Sequence, residues 1–175
     1  GILEGSEEGV SGDFVEEFLK AAQEVTDYAR ENNFEYGHAS YMPPKEDGTT
    51  DDFGGKRISC DRLVGWALYK CGYTDQPREG LTTSAAGSPL MRYCEEKGWK
   101  RIDNVEDVQA GDIVFSGQTN LQKTTAAHTF ICAGDNKRYD CGSVERIRLT
   151  GKYSGYKSQP FNEPITDFIC AYRVT

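Results

Sequence analysis

The sequence predicts an α+β fold, with N-terminal helices packed on a C-terminal antiparallel sheet. In the first half, apolar residues recur at three- and four-residue spacing, which is typical of amphipathic helices. In the second half, short segments rich in β-branched and aromatic residues are separated by turn residues, which is typical of strands. Helices followed by a run of strands indicate an α+β domain rather than repeated βαβ units.

The 175 residues suffice for one domain with its own hydrophobic core. Residues 1–10 are polar and rich in Gly and Glu, and we expect a flexible leader there, followed by a single domain over residues 11–175. The chain begins with Gly1 and not with Met, so we expect that a signal sequence or an anchor has been trimmed from it.

The first helix is predicted from about Ser11 to Asn32, with Ser11 or Asp13 as its N-cap. Its apolar stripe opposes an acidic face and consists of Phe14, Phe18, Ala21, Ala22, Val25 and Ala29. Residues 37–57 contain Pro43-Pro44 and several glycines and are predicted to form a long loop. Loops of that length often form part of a binding cleft.

The second helix is predicted from about Cys60 to Cys71 and ends at Gly72, a residue suited to the position after a helix. Its predicted buried stripe consists of Leu63, Val64, Ala67, Leu68 and Cys71. A short third helix is predicted over residues 89–97, with Pro89 in its first turn and Gly98 closing it.

Five strands are predicted in the second half of the chain. They comprise residues 112–117, 128–134, 137–142, 145–149 and 166–174. Residues 133–137 predict a hairpin that joins the second of these strands to the third.

Composition excludes several classes of function. The net charge of −8, without a clustered Lys/Arg stripe, argues against nucleic acid as a partner. No segment is apolar over the length needed to cross a bilayer. The six cysteines include no C-x-x-C pair and the chain has two histidines, which disfavours a structural zinc site. Most of these cysteines are expected to be buried free thiols, with a disulfide framework as the alternative.

Cys60 is the candidate nucleophile. It follows a loop and stands at the N-terminus of the second helix, on the apolar side of that helix. Unpaired backbone N–H groups and the positive end of the helix dipole favour a thiolate there. The backbone N–H of such a residue can also help to bind an oxyanion. An inert, buried cysteine in a first helical turn is the alternative.

His128 is the candidate general base. It opens a predicted strand, and the two-residue alternation of strands puts it on one face with Phe130 and Cys132. A neutral imidazole that faces a helix N-terminus from a strand start can take the proton of a thiol. His38 lies in the long loop without patterned neighbours, and we assign it at most to the edge of a cleft.

Asp140 is the candidate orienting residue. It lies twelve positions after His128, so antiparallel pairing across the predicted hairpin returns it to the start of the histidine strand. A carboxylate there can accept the far imidazole N–H, fix the tautomer and stabilise the imidazolium. Arg138 is an alternative partner for this carboxylate, and a solvated strand-edge charge is its alternative role.

Three ordered segments carry a family resemblance: residues 59–69 (SCDRLVGWALY), 109–115 (QAGDIVF) and 127–131 (AHTFI). They resemble the nucleophile helix, the Gly-Asp strand and the histidine strand of the NlpC family of bacterial cell-wall peptidases. The third catalytic residue of that family follows its histidine by about twelve positions, which corresponds to Asp140. The resemblance implies a papain-like fold with the three catalytic residues proposed above. The amidase-type CHAP domains share this layout.

The resemblance also implies substrate-binding residues. In the family, an Asp before the nucleophile, a Ser-Gly after it and an upstream Tyr help to recognise a free amino group on a stem peptide. Here Ser59 and Asp61-Arg62 occupy the positions beside the nucleophile. Tyr36 matches the tyrosine, and Tyr41 is an alternative because the following loop is longer than in the family. We therefore expect Tyr36, Ser59 and Asp61 to line the cleft.

The leading hypothesis is a secreted or cell-wall-associated cysteine peptidase that hydrolyses peptidoglycan stem peptides through a thioester, without a metal or organic cofactor. Carboxylates such as Glu35, Asp51-Asp52 and Asp61 favour a substrate with a free amine near the scissile bond, although they could equally be solvated loop charges. The alternatives are an N-acetylmuramoyl-L-alanine amidase and a catalytically silent cell-wall binding module. Neither nucleic acid nor membrane insertion is expected.

Overall fold

The structure is a computed structural model that describes residues 12–36, 57–73, 89–116, 128–134, 137–141 and 168–175. The helices are α1 (Gly12–Glu31), α2 (Cys60–Lys70) and α3 (Pro89–Glu96), with a 3-10 turn at Val105–Asp107. The strands are β1 (Glu35–Tyr36), β2 (Arg57–Ile58), β3 (Lys100–Ile102), β4 (Ile113–Ser116), β5 (His128–Gly134), β6 (Lys137–Tyr139) and β7 (Phe168–Arg173).

Strands β3 to β7 form a five-stranded antiparallel sheet in the order β3-β7-β4-β5-β6. The helices precede most of the sheet in the chain and pack on one of its faces, so the predicted α+β class is confirmed. The predicted leader, residues 1–10, and the predicted strand 145–149 lie outside the described residues.

The helix bounds agree with the sequence predictions. Helix α1 ends one residue before Asn32, and Asn33 then takes a left-handed conformation with φ of 58°. Gly72 and Gly98 follow α2 and α3 with φ of 78° and 73°, as helix-ending glycines do. The predicted N-cap Ser11 and the side chain of Asp13 lie outside the described residues.

The predicted buried stripe of α2 was too narrow. Every residue from Cys60 to Leu68 is buried, including the charged Asp61 and Arg62, whereas Cys71 at the helix end is only half-buried. The helix packs against α1 on one side and β5 on the other, so that it has little solvent-facing surface. Sequence periodicity identifies one apolar stripe and does not reveal a helix enclosed on two sides.

Three short features of the structure differ from the sequence predictions. Strand β3 was not predicted, because its sequence Lys-Arg-Ile carries too little apolar alternation. The parallel pair of β1 and β2 brackets the predicted long loop, of which residues 37–56 lie outside the described residues. Strand β6 ends at Tyr139, so Asp140 follows the strand instead of lying within it.

Apolar side chains cover both faces of the sheet. The main core lies between the helices and the sheet and includes the whole predicted stripe of α1. A second, smaller cluster on the other face contains Ile102, Val114, Phe130, Cys132 and Ala171. Phe130 and Cys132 therefore share a face, as the strand alternation predicts.

The register fixes which residues meet at each end of the sheet. Ser116, the last residue of β4, is paired with His128, the first residue of β5. Asp112 precedes β4 and lies at the opposite end.

Among the helices in the described part of the chain, none combines the length and apolar character that crossing a bilayer requires.

Candidate active site

Cys60 begins α2 and is 2% exposed. The preceding residue, Ser59, has extended backbone angles of φ −130° and ψ 176° and makes no side-chain cap to the helix. The Leu63 N–H donates to the Ser59 carbonyl at 3.0 Å, which makes Ser59 the N-cap and places Cys60 in the first turn. The Cys60 side chain therefore lies at the N-terminus of α2, which is the positive end of the helix dipole.

Two contacts hold the residues around the histidine. The Thr129 hydroxyl donates to the Val114 carbonyl at 2.7 Å, which adds a side-chain bond to the pairing of β5 with β4 next to His128. The Cys141 thiol donates to the Ile58 carbonyl at 3.6 Å, which links the segment after β6 to the segment that leads into Cys60. The strand start, the β6 end and the start of α2 thus converge.

His128 lies between Cys60 and Asp140. Its Nε2 is 2.6 Å from Asp140 Oδ1, and the Cys60 thiol forms a side-chain hydrogen bond with the same ring. Because Nε2 faces the carboxylate, Nδ1 is the nitrogen available to the thiol. The three residues proposed from the sequence are therefore brought together in the order thiol, imidazole, carboxylate.

Asp140 is completely buried and contacts two cations at once. One carboxylate oxygen faces His128, and the other lies 3.2 Å from Nε of Arg138. The sequence left open whether His128 or Arg138 is its partner, and the structure places both within contact distance.

These neighbours control the charge of the imidazole. Burial of the ring opposes protonation, but the charge and hydrogen bond of Asp140, together with Cys60, outweigh it and raise the pKa of His128 from 6.5 to about 10. The imidazole is thus held as an imidazolium at neutral pH, which is the form that pairs with a thiolate.

Ser59 and Asp61 adjoin Cys60, but their polar groups bond to each other. The Asp61 carboxylate accepts from the Ser59 hydroxyl at 2.5 Å, from the Arg62 N–H at 3.1 Å and from Arg62 Nη1 at 3.3 Å. All three residues are at most 2% exposed. Arg62 was not among the site residues predicted from the sequence, although an Asp-Arg pair beside a nucleophile could have indicated it. A substrate contact by Ser59 or Asp61 stays a prediction.

Tyr36 is brought close to the nucleophile by its backbone. In the parallel pair of β1 and β2 it is the partner of Ile58, which stands two positions before Cys60. Its side chain lies outside the described part of the structure, as do the rival Tyr41, the alternative His38 and the predicted Asp51-Asp52 pair.

The site supplies acid–base and nucleophilic groups of the kind used in acyl transfer: a thiol, an imidazolium, a buried carboxylate and the backbone N–H groups of a first helical turn. Within the described ranges, no three His, Cys, Asp or Glu side chains are arranged to hold a metal ion. All six cysteines lie in those ranges, and none of them is in a disulfide.

The fold is similar to that of solved proteins. One is a protein of the NLP/P60 family, described as similar to lipoprotein, from Staphylococcus aureus subsp. aureus Mu50. The two structures align with a TM-score of 0.51 and 18% sequence identity, over 98% of this chain and 44% of the other. The chain thus spans less than half the length of that protein, and the likeness shows the fold alone. No protein-family model and no curated protein matches the sequence.

Proposed function

We propose that the protein is a cysteine peptidase that hydrolyses bacterial cell-wall stem peptides. The observation that carries the proposal is the placement of His128 between the thiol of Cys60 and the buried carboxylate of Asp140, with 2.6 Å between Nε2 and the carboxylate oxygen. A thiol, an imidazole and an orienting carboxylate in that order form the machinery of covalent acyl transfer.

The proposed reaction begins with attack of the Cys60 thiolate on the carbonyl carbon of the scissile amide. Backbone N–H groups of the first turn of α2, including that of Cys60, stabilise the oxyanion that forms. The His128 imidazolium gives its proton to the departing amine, and a thioester on Cys60 remains. Neutral His128 then takes a proton from water, which attacks the thioester and releases the acid and the thiolate.

Asp140 contributes to each step through His128. Its carboxylate faces Nε2, so that Nδ1 stays directed at the thiol and the positive charge of the ring is stabilised. It neither touches the substrate nor takes up the proton in this scheme.

The fold and the charge of the chain support the choice of substrate. The structural neighbour belongs to the NLP/P60 family and is described as similar to lipoprotein, and this description favours a secreted or cell-wall-associated location for the present chain. The net charge of −8 favours a substrate with a free amine near the scissile bond, such as a stem peptide. Asp61 adds little to this attraction, because Arg62 already neutralises it.

Digestion of purified peptidoglycan tests the proposal. We expect wild-type protein to create new termini within the stem peptides, detected by mass spectrometry, and Cys60→Ala to create none. Release of intact stem peptides from unmodified glycan would contradict the peptidase assignment and establish an amidase. Binding to peptidoglycan without any cleavage would contradict hydrolysis and indicate a silent binding module.

A further inference from the structure

Arg138 is a nearly buried cation behind the proposed active site. It lies on β6 opposite Cys132, and its side chain is 9% exposed. Its guanidinium carbon lies 4.7 Å from the centre of the Phe130 ring, so that the group packs against an aromatic face. Its Nε lies 3.2 Å from Asp140 Oδ2.

The same aromatic ring also contacts the histidine. The Phe130 and His128 rings are 5.9 Å apart between centroids and are tilted by 41°. Phe130 is therefore flanked by Arg138 and His128, and Asp140 contacts both of these cations. The four side chains thus form a closed ring of contacts, from Arg138 to Phe130, to His128, to Asp140 and back to Arg138.

Arg138 can affect Asp140 in two physical ways. A fully buried carboxyl group tends to take up a proton unless a cation lies beside it. The carboxylate of an aspartate can also rotate about its terminal bond, and a charge-assisted contact to one oxygen restricts that rotation. A guanidinium on Oδ2 opposes both changes and leaves Oδ1 directed at His128.

We propose that Arg138 is a positioning residue that keeps Asp140 ionised and aimed at His128. The inference rests on the proposed function, because it assigns Arg138 to the same catalytic arrangement. Arg138 contacts neither the thiol nor the substrate in this scheme and acts only through the carboxylate.

The charges around His128 allow this role to be distinguished from that of a bystander. Cys60 faces the ring from α2, Asp140 faces it from the end of β6, and Arg138 stands behind Asp140. The Asp61–Arg62 pair on α2 neutralises itself, and β4 contributes the uncharged Ser116 opposite His128. A bystander cation would only repel the imidazolium, so its removal would raise the pKa of His128 or leave it unchanged. If Arg138 is a positioning residue, its removal would lower the pKa of His128, because Asp140 would become protonated or would rotate away from the imidazole.

Histidine titration by NMR in Arg138→Met is the test. The chain has two histidines, so a His38→Gln background leaves the His128 signal alone. We expect the pKa of His128 to fall by about one unit or more in Arg138→Met, and kcat on stem peptides to fall about tenfold or more. Arg138→Lys keeps a cation without the planar guanidinium and should restore part of both values.

Arg173→Met is the matched control, because Arg173 also pairs with a completely buried aspartate, Asp112, at the far end of the sheet. It should leave the titration of His128 unchanged. A raised or unchanged pKa of His128 in folded Arg138→Met and Arg138→Gln would overturn the inference, even if wild-type protein cleaves peptidoglycan. A lowered pKa in a protein that cleaves nothing would instead uphold the positioning role and contradict the proposed function.

Discussion

The two ends of the sheet each bury an aspartate completely and pair it with an arginine, but in different ways. At the far end, Arg173 donates two hydrogen bonds to Asp112, from Nε to Oδ1 at 2.9 Å and from Nη2 to Oδ2 at 2.8 Å. The Gln109 N–H also donates to Asp112 at 2.8 Å. At the other end, Asp140 has one arginine contact at 3.2 Å and directs its second oxygen at His128.

We infer from this difference that the Asp112–Arg173 pair is structural and that Asp140 takes part in the proposed chemistry. Asp112 has both oxygens engaged by Arg173, whose guanidinium stays protonated at any physiological pH. Arg173 also donates to the Asp107 carbonyl at 2.9 Å and so ties β7 to the turn before β4. Asp140 divides its oxygens between a permanent cation and a histidine that titrates and contacts a thiol. We therefore expect substitutions at the two ends to affect different properties.

The largest expected effect is loss of hydrolysis in Cys60→Ala and in His128→Ala. Without the nucleophile or the base the acyl-transfer route closes, and kcat should fall by roughly 10³-fold or more. Initial rates on a stem-peptide substrate measure this, with circular dichroism to verify folding. Substantial activity in folded Cys60→Ala would refute the assignment of the nucleophile.

The next largest effect is expected for Asp140→Asn, with partial activity retained. The amide oxygen can still accept from the imidazole N–H, but it no longer stabilises the imidazolium by charge, so we expect roughly a 10²-fold loss in kcat. Asp140→Ala should lose more, and wild-type rates in that variant would remove Asp140 from the site.

Asp140→Asn should also change the pH dependence of the reaction. The pKa of His128 is raised to about 10, so the imidazolium persists through neutral pH and activity should decline only as pH rises through that value. By linkage, protonated His128 stabilises the fold fully below pH 6.5, and this contribution is lost as pH rises through about 10. In Asp140→Asn, the alkaline limb of kcat against pH should move towards 6.5, whereas Asp112→Asn should leave it in place.

The smallest effect on chemistry, with a clear effect on stability, is expected for Asp112→Ala. Removing one partner of a buried ion pair costs about 3 kcal/mol of unfolding free energy, at the low end of the usual range because water can reach the partly exposed Arg173. Urea denaturation measures this. Folded Asp112→Ala should keep the wild-type kcat. A fall in its kcat as large as that of Asp140→Asn would contradict the inferred difference between the two ends of the sheet.

Local sequence signals predicted the elements that end in distinctive residues. Gly72 and Gly98 each follow a helix in a left-handed conformation, and glycine at these positions was informative without any tertiary context. The convergence of His128 and Asp140 was also predictable, because hairpin pairing fixes which residues return to the same end of two strands.

Other features depend on tertiary packing and could not be predicted in this way. The burial of Asp61 and Arg62 results from the packing of α2 between α1 and β5. Charged residues in a sequence predict an exposed helix face, so this burial could not be predicted from them. The role inferred for Arg138 requires the distances to Asp140 and Phe130, and a charged residue in a short strand gives no such signal. Strand β3 and the β1–β2 pair are too short for a recognisable period.

Site-resolved alkylation of the six cysteines at neutral pH tests the central claim most directly. Cys71 is more exposed than Cys60, but burial and the nearby Glu17 and Glu24 raise the pKa of its thiol to about 11. If His128 activates Cys60, limiting iodoacetamide should modify Cys60 first despite its burial, and His128→Ala should abolish that preference. Modification of Cys71 or Cys94 as fast as Cys60 in the wild-type protein would contradict the account.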